Sequence, residues 1–189
     1  LASSAARSLA RAHVDRARAD AALLPETAFF AALSETGPDP LALAERFGAT
    51  PLQAMRRLAG IPAVQAGLVT CDGSGTLTFR KPATGFPLPR FGSACPLWPL
   101  YAALGRPMQA FEARVQMAGQ SDRRHRVVAW AETRHPQGLR GPELREAAML
   151  ILPDDGAGPV TRIGSSCRVC ARGDCPARRE PSILAAEGS

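Results

Sequence analysis

The chain has 189 residues, 46% of them apolar, and a net charge of +6 carried almost wholly by arginine, with Lys81 as its only lysine. That composition excludes a disordered polyelectrolyte and allows one moderate domain or two small ones. No apolar run approaches the ~20 residues of a membrane helix, and an opening Leu1-Ala-Ser-Ser without Met or signal-peptide core predicts a fragment of a cytoplasmic protein.

Residues from about Ser4 to Ser34 read as helix, rich in Ala, Leu and Arg and interrupted at Pro25, which suits the first turn of a new helix. After the break Gly37-Pro-Asp-Pro40, two short helices are expected over 41–47 and 51–58. Gly48 suits the first C-cap, Thr50 the second N-cap and Pro51 the first helical position. This is a helix-turn-helix-like pair. One reading places the second helix in a DNA groove, with Gln53, Arg56 and Arg57 as its contacts. The other makes the pair a packing unit with Leu43, Phe47, Met55 and Leu58 as core.

From Gly67 the hydrophobic period changes. Leu68–Cys71 and Thr76–Arg80 flank Asp72-Gly-Ser-Gly75, which is hairpin chemistry. Prolines keep 86–91 extended, and a short helix over 97–104 ends at Gly105 and Pro107. Strands are expected over 110–117, 126–132 and 146–152, the first two joined by the loop 119–124. The fold class is therefore α+β: helices first, then an antiparallel sheet of about five strands, closed by a metal-bound C-terminal cysteine loop. The two domains are expected at 1–62 and 63–189.

Five cysteines in a chain with no secretory signal point to a reducing compartment, where clustered thiols bind metal. Cys167, Cys170 and Cys175 lie within nine residues and cannot all pair as disulfides; Cys95, in Cys95-Pro-Leu-Trp98, supplies a remote fourth ligand. Such a set fits an iron–sulfur cluster or a structural zinc. Cys175 is followed by Pro176, as in the bacterial ferredoxin run, although the spacing matches no ferredoxin pattern. Four thiolates around a core of about +2 leave about −2, which Arg168, Arg172, Arg178 and Arg179 are placed to offset. The segment after Pro153 has little apolar surface, so the metal is expected to be what fixes it to the sheet. Cys71, in a strand-like run, reads as a buried hydrophobe. His13, His125 and His135 have no zinc-peptidase spacing, and no nucleophile elbow, phosphate loop or dinucleotide fingerprint is present, so the chain does not read as an enzyme.

The stretch from Asp72 to Trp98 contains Ala83-Thr-Gly-Phe86, then Arg90-Phe-Gly92, then Cys95-Pro-Leu-Trp98. It resembles the C-terminal domain of short-chain fatty acyl-CoA-responsive XRE-type transcriptional regulators, which control propionate, methylcitrate-cycle and glyoxylate-bypass genes. Leu23-Leu-Pro25 and 44–58 resemble the degenerate peptidase-like module that precedes it, and 163–176 resembles the closing cysteine motif. The resemblance implies the sensor portion of a transcription factor, with a [4Fe-4S] cluster on Cys95, Cys167, Cys170 and Cys175. It further implies a short-chain acyl-CoA ligand, DNA read by an N-terminal helix-turn-helix domain absent from this chain, and a homo-oligomer. Coenzyme A is rich in phosphate, so Arg80, Lys81 and Arg90 are candidate contacts, with Trp98 or Tyr101 to stack the adenine. Two alternatives remain: a redox or iron sensor without acyl-CoA, and a zinc-stapled interaction domain. Arg80 and Lys81 also read as a solvated hairpin edge.

Overall fold

The computed structural model describes residues 3–90, 93–119 and 122–184. Phe91 and Gly92 of the Arg-Phe-Gly motif, and Gln120 and Ser121 of the 119–124 loop, lie outside the described residues. The chain divides into two compact units, Leu1–Gly60 and Ile61–Ser189.

The first unit is helical, and its boundaries follow from its caps. Ser3 Oγ accepts from Ala6 N at 3.1 Å to start α1 (Ser4–Leu23). Pro25 occupies the cap of α2 (Glu26–Thr36). Asp39 caps α3 (Pro40–Phe47), which ends at Gly48 in the left-handed region, φ 60°. Thr50 and Gln53 form a reciprocal capping box on α4 (Pro51–Ala59), with Pro51 at its first position. Leu43, Met55 and Leu58 are buried, and Phe47 is half-buried with its ring 5.9 Å from that of Phe29.

The α3–α4 pair is a packing unit. The Gln53 side chain accepts from Thr50 N at 2.9 Å. Arg56 holds Asp20 through two hydrogen bonds, at 2.6 and 3.0 Å, and the Arg57 guanidinium lies 5.9 Å over the Phe29 ring. The three side chains a recognition helix would present to bases are engaged within the unit.

The second unit is a sheet of β1 (Gly67–Asp72), β2 (Leu77–Lys81), β3 (Phe111–Met117), β4 (Arg124–Arg134), β5 (Leu144–Asp154) and β6 (Thr161–Ile163). Their order is β2-β1-β5-β4-β3-β6. The hairpin turn forms as its residues dictate: Asp72 Oδ1 accepts from Ser74 N at 2.9 Å, and Gly75 takes φ 80°. β4 and β5 pair from Arg124↔Asp154 to Arg134↔Leu144, longer than the sequence predicts. Pro153 is tolerated in β5 because β1 pairs with β5 only as far as Ile151, so no ladder bond is lost on that side. Ala147 to Leu152 are all buried, which explains why β5 reads as a continuous apolar run rather than an alternating one.

The expectation of about five antiparallel strands is corrected in two ways. A sixth strand is present, and it runs parallel to β3, with Val115 opposite Thr161 and Met117 opposite Ile163. Three residues between Val160 and Gly164 carry no periodicity of their own, so only the non-local pairing defines them. One face of the sheet carries α5 (Pro99–Gly105) over a core that includes Val69, Phe86, Trp98, Leu100, Val127 and Met149. Among the described residues, no helix is long and apolar enough to cross a membrane.

Candidate metal centre

Cys95 sits in the loop before α5, and the loop is fixed by bonds reaching the chain just after β6. Three successive carbonyls there take donors from three different places. Ile163 O accepts from Ala118 N at 2.8 Å, Gly164 O from the Trp98 indole Nε1 at 2.8 Å, and Ser165 O from Cys95 N at 2.9 Å. Trp98 N in turn donates to Cys95 O at 3.1 Å. The spacing Cys95-Pro-Leu-Trp98 thus sets the cysteine and its anchoring indole in one turn against one strand end.

The C-terminal cysteines follow at once. Cys167 opens a single 3₁₀ turn ending at Val169, Cys170 lies just beyond it, and Cys175 follows in an irregular loop. Gly164 is needed here, because a Cβ on it would stand 2.8 Å from Cys170 Sγ. The turn between β3 and β4 backs the loop: a Cβ on Gly119 would meet the Ala171 Cβ at 2.5 Å.

Cys95, Cys167, Cys170 and Cys175 line the wall of one small cavity. Arg162, Arg172 and Arg178 line it too. All five cysteines are free thiols, and of the wall cysteines only Cys175 is more than slightly exposed. Burial pushes the Cys95 thiol above its ordinary value, opposed by the Gly164 and Leu97 N–H groups and reinforced by the neighbouring Cys167 and Cys170. The free space is about 10 Å³, and among the described residues no three His, Cys, Asp or Glu side chains are arranged to hold a metal ion. The four sulfurs therefore share a wall without converging on a point. The donor set itself, four thiols and no competing carboxylate or imidazole, has the chemistry of a Cys₄ cluster ligand set.

The C-terminal segment is tied to the sheet by protein hydrogen bonds of its own, which corrects the expectation that only metal fixes it there. Besides β6 and the Gly164 and Ser165 carbonyls, Arg179 reaches Ala94 O at 2.7 Å. Arg178 donates to Cys167 O at 3.2 Å and Cys170 O at 3.5 Å, and also to Arg172 O. Of the four arginines singled out near the cysteines, Arg172 and Arg178 reach the cavity wall, Arg179 braces the Cys95 loop, and Arg168 does not line the cavity.

The five candidate ligand contacts are not brought together. Arg80 is exposed on the edge strand β2, while Lys81 Nζ donates to Ala66 O at 2.8 Å. Arg90 is exposed. Trp98 is 1% exposed, its ring 5.5 Å from that of Phe86 and its Nε1 engaged, so stacking on a ligand is closed to it. Tyr101 is half-buried against Gly75, and burial raises its pKa.

A larger cavity, about 480 Å³, lies where β4 begins and β5 ends, lined by Gln65, Thr84, Arg124, His125 and Asp154 among others. The Ala-Thr-Gly-Phe stretch is built around its histidine. His125 Nε2 lies 3.0 Å from Thr84 O, so that nitrogen carries the proton, and the ring stands edge-on to Phe86 at 5.3 Å. Nδ1 is buried without a hydrogen-bond partner. Nothing in the local sequence marks His125, because its partners lie 39 to 41 positions away, at Phe86 and Thr84.

The family model described as short-chain fatty acyl coenzyme A regulator, C-terminal, matches residues 54–187. The chain belongs to this family. It is 33% identical over 196 residues to a propionyl-CoA carboxylase regulator of Cereibacter sphaeroides, covering 94% of this chain and 42% of that protein. It is 35% identical over 133 residues to the HTH-type transcriptional regulator RamB of Mycobacterium tuberculosis, covering 61% of this chain and 27% of that one. The HTH-type transcriptional regulator PrpR of the same organism is 29% identical over 204 residues, covering 96% and 41%. A solved Mycobacterium tuberculosis transcriptional regulator shares the fold at TM-score 0.77 and 28% identity, covering 96% of this chain and 60% of the other. The chain spans less than half the length of these curated relatives.

Proposed function

We propose that this chain is the effector-sensing portion of a cytoplasmic, homo-oligomeric regulator of short-chain fatty acid metabolism, holding a [4Fe-4S] cluster and binding a short-chain acyl-CoA. In this reading DNA is bound by a helix-turn-helix domain elsewhere in the regulator, and the helical unit is its peptidase-like remnant. The observation that carries the proposal is the meeting of four thiols from two distant segments on one cavity wall, in a member of an acyl-CoA regulator family. Cys95, Cys167, Cys170 and Cys175 would hold the cluster. Zinc at about 2.3 Å from each sulfur is the alternative occupant of the same four thiols.

When bound, the cluster supplies an electron-accepting, oxygen-sensitive centre. The chain's own part is to present thiols from a loop and a strand end held by backbone carbonyls, and to surround them with guanidinium groups. For the acyl-CoA, the cavity at Thr84 offers volume, with the Arg123 and Arg124 cations set among Asp122, Asp154 and Asp155. Protein purified without oxygen is expected to be brown, with iron and sulfide in equal amounts; a colourless protein carrying zinc would overturn the cluster. Propionyl-CoA at 100 times its dissociation constant is expected to add roughly 2.7 kcal/mol of stability, and Arg124→Glu to abolish that gain. No stabilisation by any short-chain acyl-CoA would leave a redox or iron sensor.

A further inference from the structure

Several arginines of this protein pair with a carboxylate, among them Arg56 with Asp20, Arg114 with Asp154 and, on the cysteine cavity wall itself, Arg172 with Asp174 at 3.3 Å. Arg178 and Arg179, among the described residues, pair with none. Arg179 donates to Ala94 O, one residue before Cys95. Arg178 is half-buried and distributes its guanidinium over the carbonyls of Cys167, Cys170, Arg172 and Glu180. Carbonyl oxygens satisfy its donors but leave its positive charge uncompensated, and that charge lies on the wall of the cysteine cavity. Two of those four carbonyls belong to cysteines of the loop, a third to Arg172 between Cys170 and Cys175, and the fourth to Glu180 beyond it. A neutral thiol set gives such a cation no counter-charge; a thiolate set does.

We propose that Arg178 is the positioning residue of the cysteine loop. Through one planar fork it fixes the backbone at Cys167, Cys170 and Arg172, so that the thiols stay on the cavity wall before any metal arrives. Its unpaired charge then sets the reduction potential of the anionic centre the thiols form, a part that rests on the cluster reading. Planarity matters to the first role, because an ammonium on a flexible stem cannot serve several carbonyls in fixed directions. Charge matters to the second, because a nearby cation favours the more negative, reduced state.

The two roles separate in Arg178→Lys, which keeps the charge and loses the fork, and Arg178→Gln, which loses both. Hydrogen exchange on the metal-free 189-residue chain reads the first role. The Cys170 and Arg178 amides, bonded to Cys167 O and Cys175 O, are expected to exchange about tenfold faster in both variants, the loss of hydrogen bonds to a charged group. Arg179→Gln, which touches the Cys95 loop instead, is expected to leave those two amides at the parent rate. Unchanged exchange in Arg178→Lys overturns the positioning role, and fluorescence of Trp98 and Trp130 verifies that each variant is folded. In iron-loaded protein, Arg178→Gln is expected to lower the midpoint potential while Arg178→Lys stays near the parent; equal potentials in all three overturn the charge role. A chain that takes up no iron removes the cluster reading and the charge role with it, and the exchange result still decides whether Arg178 positions the loop.

Discussion

The centre of the sheet and the cysteine segment are held by opposite means. In β1, β4 and β5, Val69, Val127, Met149 and Ile151 are fully buried and packed under α5. In residues 164–180 almost every tie is a single polar bond, from a backbone N–H, an indole or a guanidinium to a carbonyl. Burial makes the sheet indifferent to which bond is cut. The cysteine segment has less of this reserve, so each of its ties is separately breakable.

Replacing a sheet residue should therefore give the largest loss. Met149→Ala is expected to cost about 2–5 kcal/mol, the range for deleting a large buried side chain, read from the urea midpoint. A Met149→Ala loss smaller than that of any single substitution in 164–180 would reverse the comparison.

Next comes Trp98→Phe, which keeps the ring against Phe86 and removes the indole donor to Gly164 O. A buried carbonyl left without its partner costs about 1–3 kcal/mol. The loss should appear as faster exchange at Cys95 N, which bonds to the adjacent carbonyl, and as reduced iron content. Loss confined to global stability, with Cys95 protection unchanged, would mean the indole does not organise the cysteine loop.

Gly164→Ala strikes the same point from the other side. Its Cβ would stand 2.8 Å from Cys170 Sγ and 3.0 Å from its Cβ. Overpacking of this kind costs about 1–3 kcal/mol, and the easier relief is for Cys170 to swing off the wall. Iron content is expected to fall well before the urea midpoint of the sheet moves.

The legibility of the sequence divides along the same line. Local chemistry reads correctly: Thr50 caps α4 with Pro51 at its first position, and Asp72 to Gly75 makes the turn. Features whose cause is distant do not. β6 exists only through pairing with β3. Trp98 looks like a free aromatic until Gly164, 66 residues on, takes its N–H. Arg56 looks like a DNA contact until Asp20, 36 residues earlier, takes its guanidinium. At the site, spacing and residue type single out Cys95, Cys167, Cys170 and Cys175 as a set, and the structure brings them to one cavity wall. The arginine ties and His125 are not singled out, since nothing local distinguishes them from solvated charges.

Cys71 gives an effect confined to alkaline pH and the finest test, because it places the same thiol in the apolar region. It is fully buried on β1 and is not on the cysteine cavity wall. Burial, with Asp72 adding repulsion, pushes its pKa from 9.0 to about 12. In the unfolded chain the thiol ionises near 9, while in the folded one it stays protonated to about 12. Between those values the folded state binds more protons, so stability present below pH 9 is lost as pH rises, at about 1.4 kcal/mol per unit. Cys71→Ala should remove that share of the alkaline loss and leave iron content at the parent value. It should also leave the alkylation pattern of metal-free protein at pH 8 unchanged, with half-buried Cys175 reacting and Cys71 not contributing. Alkylation of Cys71 in folded protein, or a pH profile identical in the two chains, would show that the sheet does not close over this thiol.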